Sequence, residues 1–194
     1  DSLIFTVGET NVININLDTT KQFLNLESIY QPAAMSINLN LMQLEWEPAA
    51  EEIGTHITKY NIEYGIGNRI EEQTKEGKIS VESIQEVMTE TSEHTIYVNA
   101  PPTIKINPSH YKVQADHQLI IPIYIDDLNK EQILSLNAET TPPNKGNIEE
   151  RNFIWTPKKE QHGNNTVVFK VNDGLYTSTA TATVFVDSTK NTTT

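Results

Sequence analysis

The sequence predicts an all-β chain built as two tandem β-sandwich domains, and three observations point there. The first is an internal repeat. Leu44-Glu45-Trp46-Glu47-Pro48 returns 109 residues later as Phe153-Ile154-Trp155-Thr156-Pro157. At the same shift Gly54 falls on Gly163, Tyr60 on Phe169, Ile62 on Val171 and Gly65 on Gly174. Upstream, Ile13, Ile15, Leu17 and Asp18 match Ile121, Ile123, Ile125 and Asp126, while Gln22, Leu24 and Leu26 match Gln132, Leu134 and Leu136. Small drifts of the shift between blocks are what short turn insertions produce. Self-similarity of this kind marks an array of like domains. The second observation is a hydrophobic period of two residues almost throughout, where a helical chain would show 3.6. The third is Pro101-Pro102, a short stiff joint placed where one copy ends and the next begins. The domains are then 1–100 and 101–190, with a polar tail at 191–194.

Taken in order, the elements follow from that pattern. Asn11–Leu17 alternates polar and apolar, as a half-buried strand does, and Gln22–Leu26 does so again. Trp46 ends a strand pointing inward, where an indole buries a large area, and Pro48 stops the ladder. Gly54, eight residues past the indole, suits a turn at positive φ. Thr58, Tyr60 and Ile62 then face the core, with Lys59, Asn61 and Glu63 outward, and Glu93–Asn99 closes the unit. In the second copy, Leu119–Ile125 is a dense run interrupted by Pro122. That proline cannot donate to a ladder, so it places the strand at an edge or a bulge. Trp155, Pro157 and Gly163 repeat the earlier logic, and Thr166–Val171 sends Val167, Phe169 and Val171 to one face. Asn172-Asp173-Gly174 signals a hairpin turn into a last strand at Ser178–Asp187. Trp46, Tyr60, Trp155 and Phe169 are the predicted core anchors.

The copies differ mainly in one place. Gly65 to Tyr97 takes 32 residues and Gly174 to Phe185 takes 11, so the first unit carries an insertion within 66–92. It is acidic, with seven Glu between Glu71 and Glu93 against Lys75 and Lys78. Val81, Ile84 and Met88 fit a short amphipathic helix, whereas Lys78–Ser83 fits a strand, so the segment reads as a β-excursion or one short helix on the rim. Loops positioned by a scaffold often carry function, which makes this the first place to look for a partner surface.

Composition excludes several functions. The net charge of −12 argues against nucleic acid, which needs a basic face, and against anionic lipid. Cysteine is absent, so neither a disulfide frame nor a thiol nucleophile is available. No apolar run reaches the length of a membrane span and no signal peptide is visible. The chain starts at Asp1 without Met, as expected of a processed protein or an excised piece. His56, His94, His110, His117 and His162 show no metal-ligand spacing, and there is neither a Gly-rich phosphate loop nor Gly-x-Ser-x-Gly. No catalytic site and no cofactor are expected. Asp126, Asp127 and Asn129 are calcium candidates by their oxygen chemistry, although Asp and Asn also favour plain turns. Asn164-Asn165-Thr166 and Asn191-Thr192-Thr193 match the glycosylation acceptor pattern.

The run Phe153–Pro157, then Gly163, then Val167–Gly174, closing with Thr183–Asp187, resembles the cadherin-like (dystroglycan-type, putative Ig) repeats of bacterial surface proteins. Val98-Asn99-Ala100-Pro101-Pro102-Thr103-Ile104 resembles the Pro-Pro start of such repeats. The match covers the second unit, and in the first it covers Ile13–Asp18, Gln22–Leu26 and Leu44–Gly65 before the insertion breaks it. The resemblance implies tandem Greek-key sandwiches of Ig-like or cadherin-like type, extracellular, serving adhesion or spacing. Cadherin linkers that bind calcium are acidic; here the linker reads Asn99-Ala100-Pro101, so junctional calcium does not carry over. Leu44–Pro48 followed by Ile57–Tyr64 is also similar to two strands of a fibronectin type III domain, but Trp46 stands late in its unit for that pattern.

The expectation is a non-enzymatic structural or adhesive module of a secreted, cell-surface or filament protein, acting as a semi-rigid spacer and interaction scaffold. Its partners would be other protein domains of the same or a neighbouring chain, or surface glycans, with no nucleic acid and no membrane insertion. A carbohydrate-binding accessory module of a secreted hydrolase is the alternative. Exposed coplanar rings such as Tyr64, Tyr111 and Tyr176 would mark it.

Overall fold

A computed structural model describes residues 2–74, 77–141, 143 and 146–188, with 68–74, 77–83 and 85 described by backbone alone. The second glycosylation pattern and the 191–194 tail lie outside the described residues. The chain divides into two compact units, Asp1–Asn99 and Ala100–Thr194.

The first unit has strands β1 (Leu3–Thr6), β2 (Asn11–Asn14), β3 (Gln22–Tyr30), β4 (Ser36–Asn38), β5 (Gln43–Trp46), β6 (Gly54–Thr74) and β7 (Gly77–Asn99). They form two sheets, in the orders β1-β7-β6-β3 and β2-β5-β4, with β1 parallel to β7 and the other pairs antiparallel. The second unit has β8 (Thr103–Lys105), β9 (His110–Gln114), β10 (Leu119–Pro122), β11 (Tyr124–Asp126), β12 (Ser135–Thr141), β13 (Asn147–Glu149), β14 (Asn152–Trp155), β15 (Gly163–Asn172) and β16 (Thr177–Asp187). Its sheets run β12-β15-β16-β9, with β9 parallel to β16, then β10-β14-β13 and the pair β11-β8. Strands that cross between sheets and return make each unit a Greek-key sandwich of immunoglobulin-like type.

Each sandwich has its own core. In the first, Phe5, Leu44, Trp46, Tyr60, Ile62, Tyr64, Ile96 and Val98 pack together. In the second, Ile121, Phe153, Trp155, Val167, Phe169 and Val184 do so. Trp46 and Trp155 are 1% and 3% exposed. The alternation read from Thr58–Ile62 and Val167–Val171 is the burial pattern observed. Leu119–Ile125 is not one strand. Pro122 ends β10 at a sheet edge, and the chain then changes partner, pairing with β14 before Ile123 and with β8 after it.

The duplication extends to individual hydrogen bonds. After each Trp-x-Pro the chain makes one 3₁₀ turn, Ala50–Glu52 and Lys159–Gln161. The Glu52 carboxylate accepts from the Ala49 N–H at 2.9 Å, and the Gln161 side-chain oxygen accepts from the Lys158 N–H at 2.8 Å. The Pro48 carbonyl accepts from Gly8 at 2.9 Å, as Pro157 does from Asp116 at 2.7 Å. Gly54 and Gly163 then sit at φ +121° and +99°, where an L side chain would be strained. A turn with these bonds is satisfied internally, so the strand that follows starts in a fixed register.

Truncating Trp155 to Ala should cost about 3–5 kcal/mol, because it empties the centre of a packed core. Hydrogen exchange should show β10, β14 and β15 losing protection while β2, β5 and β6 keep theirs. Equal loss in both units would contradict separate cores.

Candidate functional site

The insertion forms neither a loop nor a helix. In the second unit β15 stops at Asn172 and turns at once, with Asp173 Oδ1 accepting from the N–H groups of Leu175 and Tyr176 at 2.7 and 2.6 Å, and Gly174 at φ +98°. The matching Gly65 makes no turn. It is paired with Val87 inside the ladder, and a Cβ there would come within 3.1 Å of the Ile84 side chain, so this glycine serves close approach. The strand runs on to Thr74, and β7 returns from Gly77, in continuous pairing broken by one register shift at Ile66/Gly67.

The neighbours do not follow. β3 pairs no further than Gln22 with Gly65, and β1 reaches only from Leu3 at Ile96 to Thr6 at Asn99. Beyond Ile66 the chain is therefore a two-stranded ribbon, and no third strand pairs with either of its outer edges among the described residues. At roughly 3.3 Å per residue, the stretch from Ile66 to Thr74 carries the ribbon about 30 Å past the end of β3. Ile66, Ile84 and Val87 are exposed near its root.

Charged groups fasten that root. Lys21 Nζ lies 3.0 Å from Asp18 Oδ2, 2.6 Å from Glu90 Oε1 and 5.1 Å from the centre of the Tyr64 ring. The Asp18 N–H donates to Tyr64 Oη at 3.0 Å. The Thr20 hydroxyl, and after it Lys21, hold the Asp18 carboxyl at about 2. Glu90, followed by Asp18, pushes Lys21 upward. These groups are in solvent, so the bridges orient the root more than they stabilise it.

Beside the root, Asn14, Asn16, Tyr60, Glu90, Ser92 and His94 line a cleft of about 210 Å³. Tyr60 Oη is 3.2 Å from His94 Nε2, the rings stack at 5.8 Å, and Ser92 Oγ stands 3.5 Å from the same nitrogen. Burial pushes the His94 pKa down. No carboxylate hydrogen-bonds to this imidazole among the described residues, so nothing orients it as a base toward Ser92.

The three calcium candidates line one cleft of about 410 Å³, shared with Lys130 and Arg151. Asp126 is exposed and its Oδ1 lies 2.7 Å from Lys130 Nζ, which holds its pKa down. Asp127 is buried with Oδ1 accepting from the Asn129 N–H at 2.7 Å, while Asn129 Oδ1 accepts from the Ala100 N–H at 2.8 Å. Asp127 Oδ2 is buried without a hydrogen-bond partner among the described residues. An ammonium on the first carboxylate and an N–H on one oxygen of the second are contacts that a plain turn also makes. Among the described residues no three acidic, His or Cys side chains are grouped to hold a metal. Tyr64 is buried and Tyr111 and Tyr176 are half-buried, whereas Tyr30 and Tyr124 are exposed. Asn164, the first acceptor position, is exposed. Sequence reasoning missed the unpaired edges, whose only trace was the strand-like alternation of Lys78–Ser83.

No protein-family model matches the chain, and no curated protein matches it. Among solved structures it is similar to extracellular domains 3–5 of Drosophila OTK, at 9% identity and a TM-score of 0.57, over 96% of this chain and 59% of that one. It is also similar to the N-terminal four Ig domains of Dscam1 isoform 7.44 (15% identity, TM-score 0.41, 96% of this chain and 43% of that one). A third likeness is to the endo-fucoidan hydrolase MfFcnA4 from glycoside hydrolase family 107 (13% identity, TM-score 0.36, 98% and 28%). The chain spans less than two thirds of each of these structures. The first likeness shows the immunoglobulin-like fold alone, and the other two carry no further weight.

Two outcomes follow from this geometry. Because the folded His94 binds its proton less readily than the 6.5 of a free imidazole, the unfolded state takes up more protons as pH falls. Stability should therefore decline as pH drops through about 6.5, and His94→Gln should flatten that part of a urea-midpoint profile. Melting midpoints with calcium and with chelator should coincide; a rise with calcium that Asp127→Asn abolishes would restore the metal reading.

Proposed function

We infer that this chain is a non-enzymatic interaction module of an extracellular or surface protein, in which immunoglobulin-like sandwiches present a β-ribbon to a protein partner. The observation that carries the reading is the ribbon itself. Unpaired N–H and C=O groups along an exposed strand are the usual template for strand addition by another chain, and natural domains blunt such edges unless they use them. The sandwiches serve as spacer and scaffold, joined through the stiff Pro101-Pro102 segment. The acidity of the chain fits a soluble protein surface and opposes docking on nucleic acid. No helix of the described residues is long and apolar enough to cross a membrane. The glycan-binding alternative would need exposed rings set side by side, and of the three named for it Tyr64 is buried and Tyr111 and Tyr176 are half-buried.

Small-angle scattering of the 194-residue chain tests the spacer role. An elongated particle is expected, with a long tail in its distance distribution. A profile as compact as that of one globular domain of the same mass would overturn it.

A further inference from the structure

An open sandwich can be entered along its flank, where the edge of one sheet faces the edge of the other. In the first unit β7 and β2 lie at those edges. β1 covers only the last four of the 23 residues of β7, Ile96–Asn99, and no other strand lies on that side among the described residues. The open ladder of β7 therefore continues from the ribbon down the body of the sandwich as far as Thr95. On β6 the open edge stops at the root, because β3 takes over at Gly65.

Behind the β7 edge lies the cleft of about 210 Å³, and register explains its lining. Tyr60 and Ile62 face the core; Ser92 and Glu90 stand opposite them and share that face, as His94 does opposite Thr58. Asn14 on β2 and Asn16 just past it line the other side. The second unit supplies a control. Its β16 is likewise uncovered from Thr177 to Ala182 on the side where β9 pairs. There Ala180 stands opposite Phe169 and Ala182 opposite Val167, the positions that Ser92 and His94 hold in the first unit. Ala182 is fully buried. The fold works with two methyl groups in these places, so the polar pair is not something the sandwich requires.

We propose that the open edge of β7 between Glu86 and Thr95 takes up an extended, basic segment of a partner polypeptide as an added strand, with one carboxamide side chain of that segment seated in the cleft. Directly opposite residues of neighbouring strands share a face, so a residue set beside Ser92 points inward. A free ladder gives affinity and a side-chain pocket next to it gives specificity. Small-molecule pockets begin at about 300 Å³, so this smaller cleft suits a single side chain. Asn14 Oδ1 already accepts from Gln43 Nε2 at 2.8 Å, which leaves the Asn14 amide N–H groups as donors, while Ser92 Oγ can accept. A carboxamide offers both roles in return. A carboxylate would meet Glu90, and an ammonium would meet Lys21, whose Nζ lies 2.6 Å from Glu90. Glu86–Thr95 contains three Glu and no Lys or Arg, which selects a basic strand over a second copy of this acidic chain. This docking rests on the interaction-module reading and gives the partner a chemistry.

Hydrogen exchange of the whole chain, followed residue by residue with the heptapeptide Lys-Val-Thr-Gln-Thr-Val-Lys added to millimolar concentration, tests it. The peptide reads the same in both directions, so it fits a parallel or an antiparallel approach. Alternate amides of Glu86–Thr95 should slow, since every second N–H of an edge strand faces the newcomer, while those of β16 should not. A peptide with Leu in place of Gln should bind about tenfold more weakly, the worth of one or two hydrogen bonds. Ser92→Ala with His94→Ala installs the pair that the second unit carries and should abolish the preference for Gln. Equal binding of both peptides to the unaltered chain overturns the proposal. Slowing confined to Ile66–Thr74 and Gly77–Ser83 also overturns it but leaves the interaction-module reading standing, whereas slowing nowhere removes both. Edge amides that slow with chain concentration alone would name a second copy as the occupant and overturn the partner strand.

Discussion

The indole at the end of β5, and its twin at the end of β14, is the contact on which both sandwiches depend. It is the largest side chain in each core and lies between the sheets, meeting Phe5 at 6.0 Å and His56 edge-on at 5.0 Å in the first unit. An indole set there is useful only if the strand stops directly after it. The proline two residues on achieves that, and the 3₁₀ turn with its Glu52 or Gln161 acceptor redirects the chain to the opposite sheet. His56 Nε2 and Asn165 Nδ2, at matched positions, contact the carbonyls of Glu52 and Gln161 at 2.6 and 2.9 Å. Different residues thus meet the same geometric requirement. The pattern is conserved between the units because the turn dictates it, while the chemistry at each position is free to drift.

What was readable in the sequence follows from that constraint. Trp, Pro and Gly at fixed spacing report a backbone path, since each has a narrow set of allowed conformations. Tyr60, Ile62, Phe169 and Val171 report a face through period-two alternation. The reading failed where the same residue type serves two purposes. Gly65 aligns with Gly174, yet one lies mid-ladder beneath Ile84 and the other turns a hairpin at positive φ. Local sequence holds no sign of which applies, because the difference lies in whether the following residues find a partner strand. Val81, Ile84 and Met88 are spaced for a helix, but Gly65–Thr74 across from them has the matching length for a ladder, and pairing decided the outcome. The split of Leu119–Ile125 was half legible: Pro122 announced an interruption, but only the tertiary arrangement shows that it hands the chain from β14 to β8.

The candidate site was legible as a location and not as a structure. A length difference between two copies of one fold points to the place where selection could add material without disturbing a core. Its chemistry lies in the backbone, which composition cannot show: exposed edges are made by the early endings of β1 and β3, residues distant in sequence. The histidine cleft shows the reverse case. His94, Tyr60 and Ser92 gather by register and look like a reactive group on paper, yet their contacts are a ring stack and the approach of the Tyr60 and Ser92 hydroxyls to one imidazole nitrogen.

The two units treat the edges of an open sandwich differently. In the second, β16 is covered by β9 over its last five residues and β15 by β12 over seven, so the longest hairpin of that unit is flanked for most of its length. In the first, the flanking strands β1 and β3 keep nearly those lengths while both strands of the hairpin more than double, from 10 and 11 residues to 21 and 23. Had the added residues been disordered or helical, no new edge would have formed. Had the flanking strands lengthened with them, the sheet would only have become taller. Growth of the central pair alone creates uncovered ladder. Backbone groups left open in this way are what the strand-pairing partner proposed above would use.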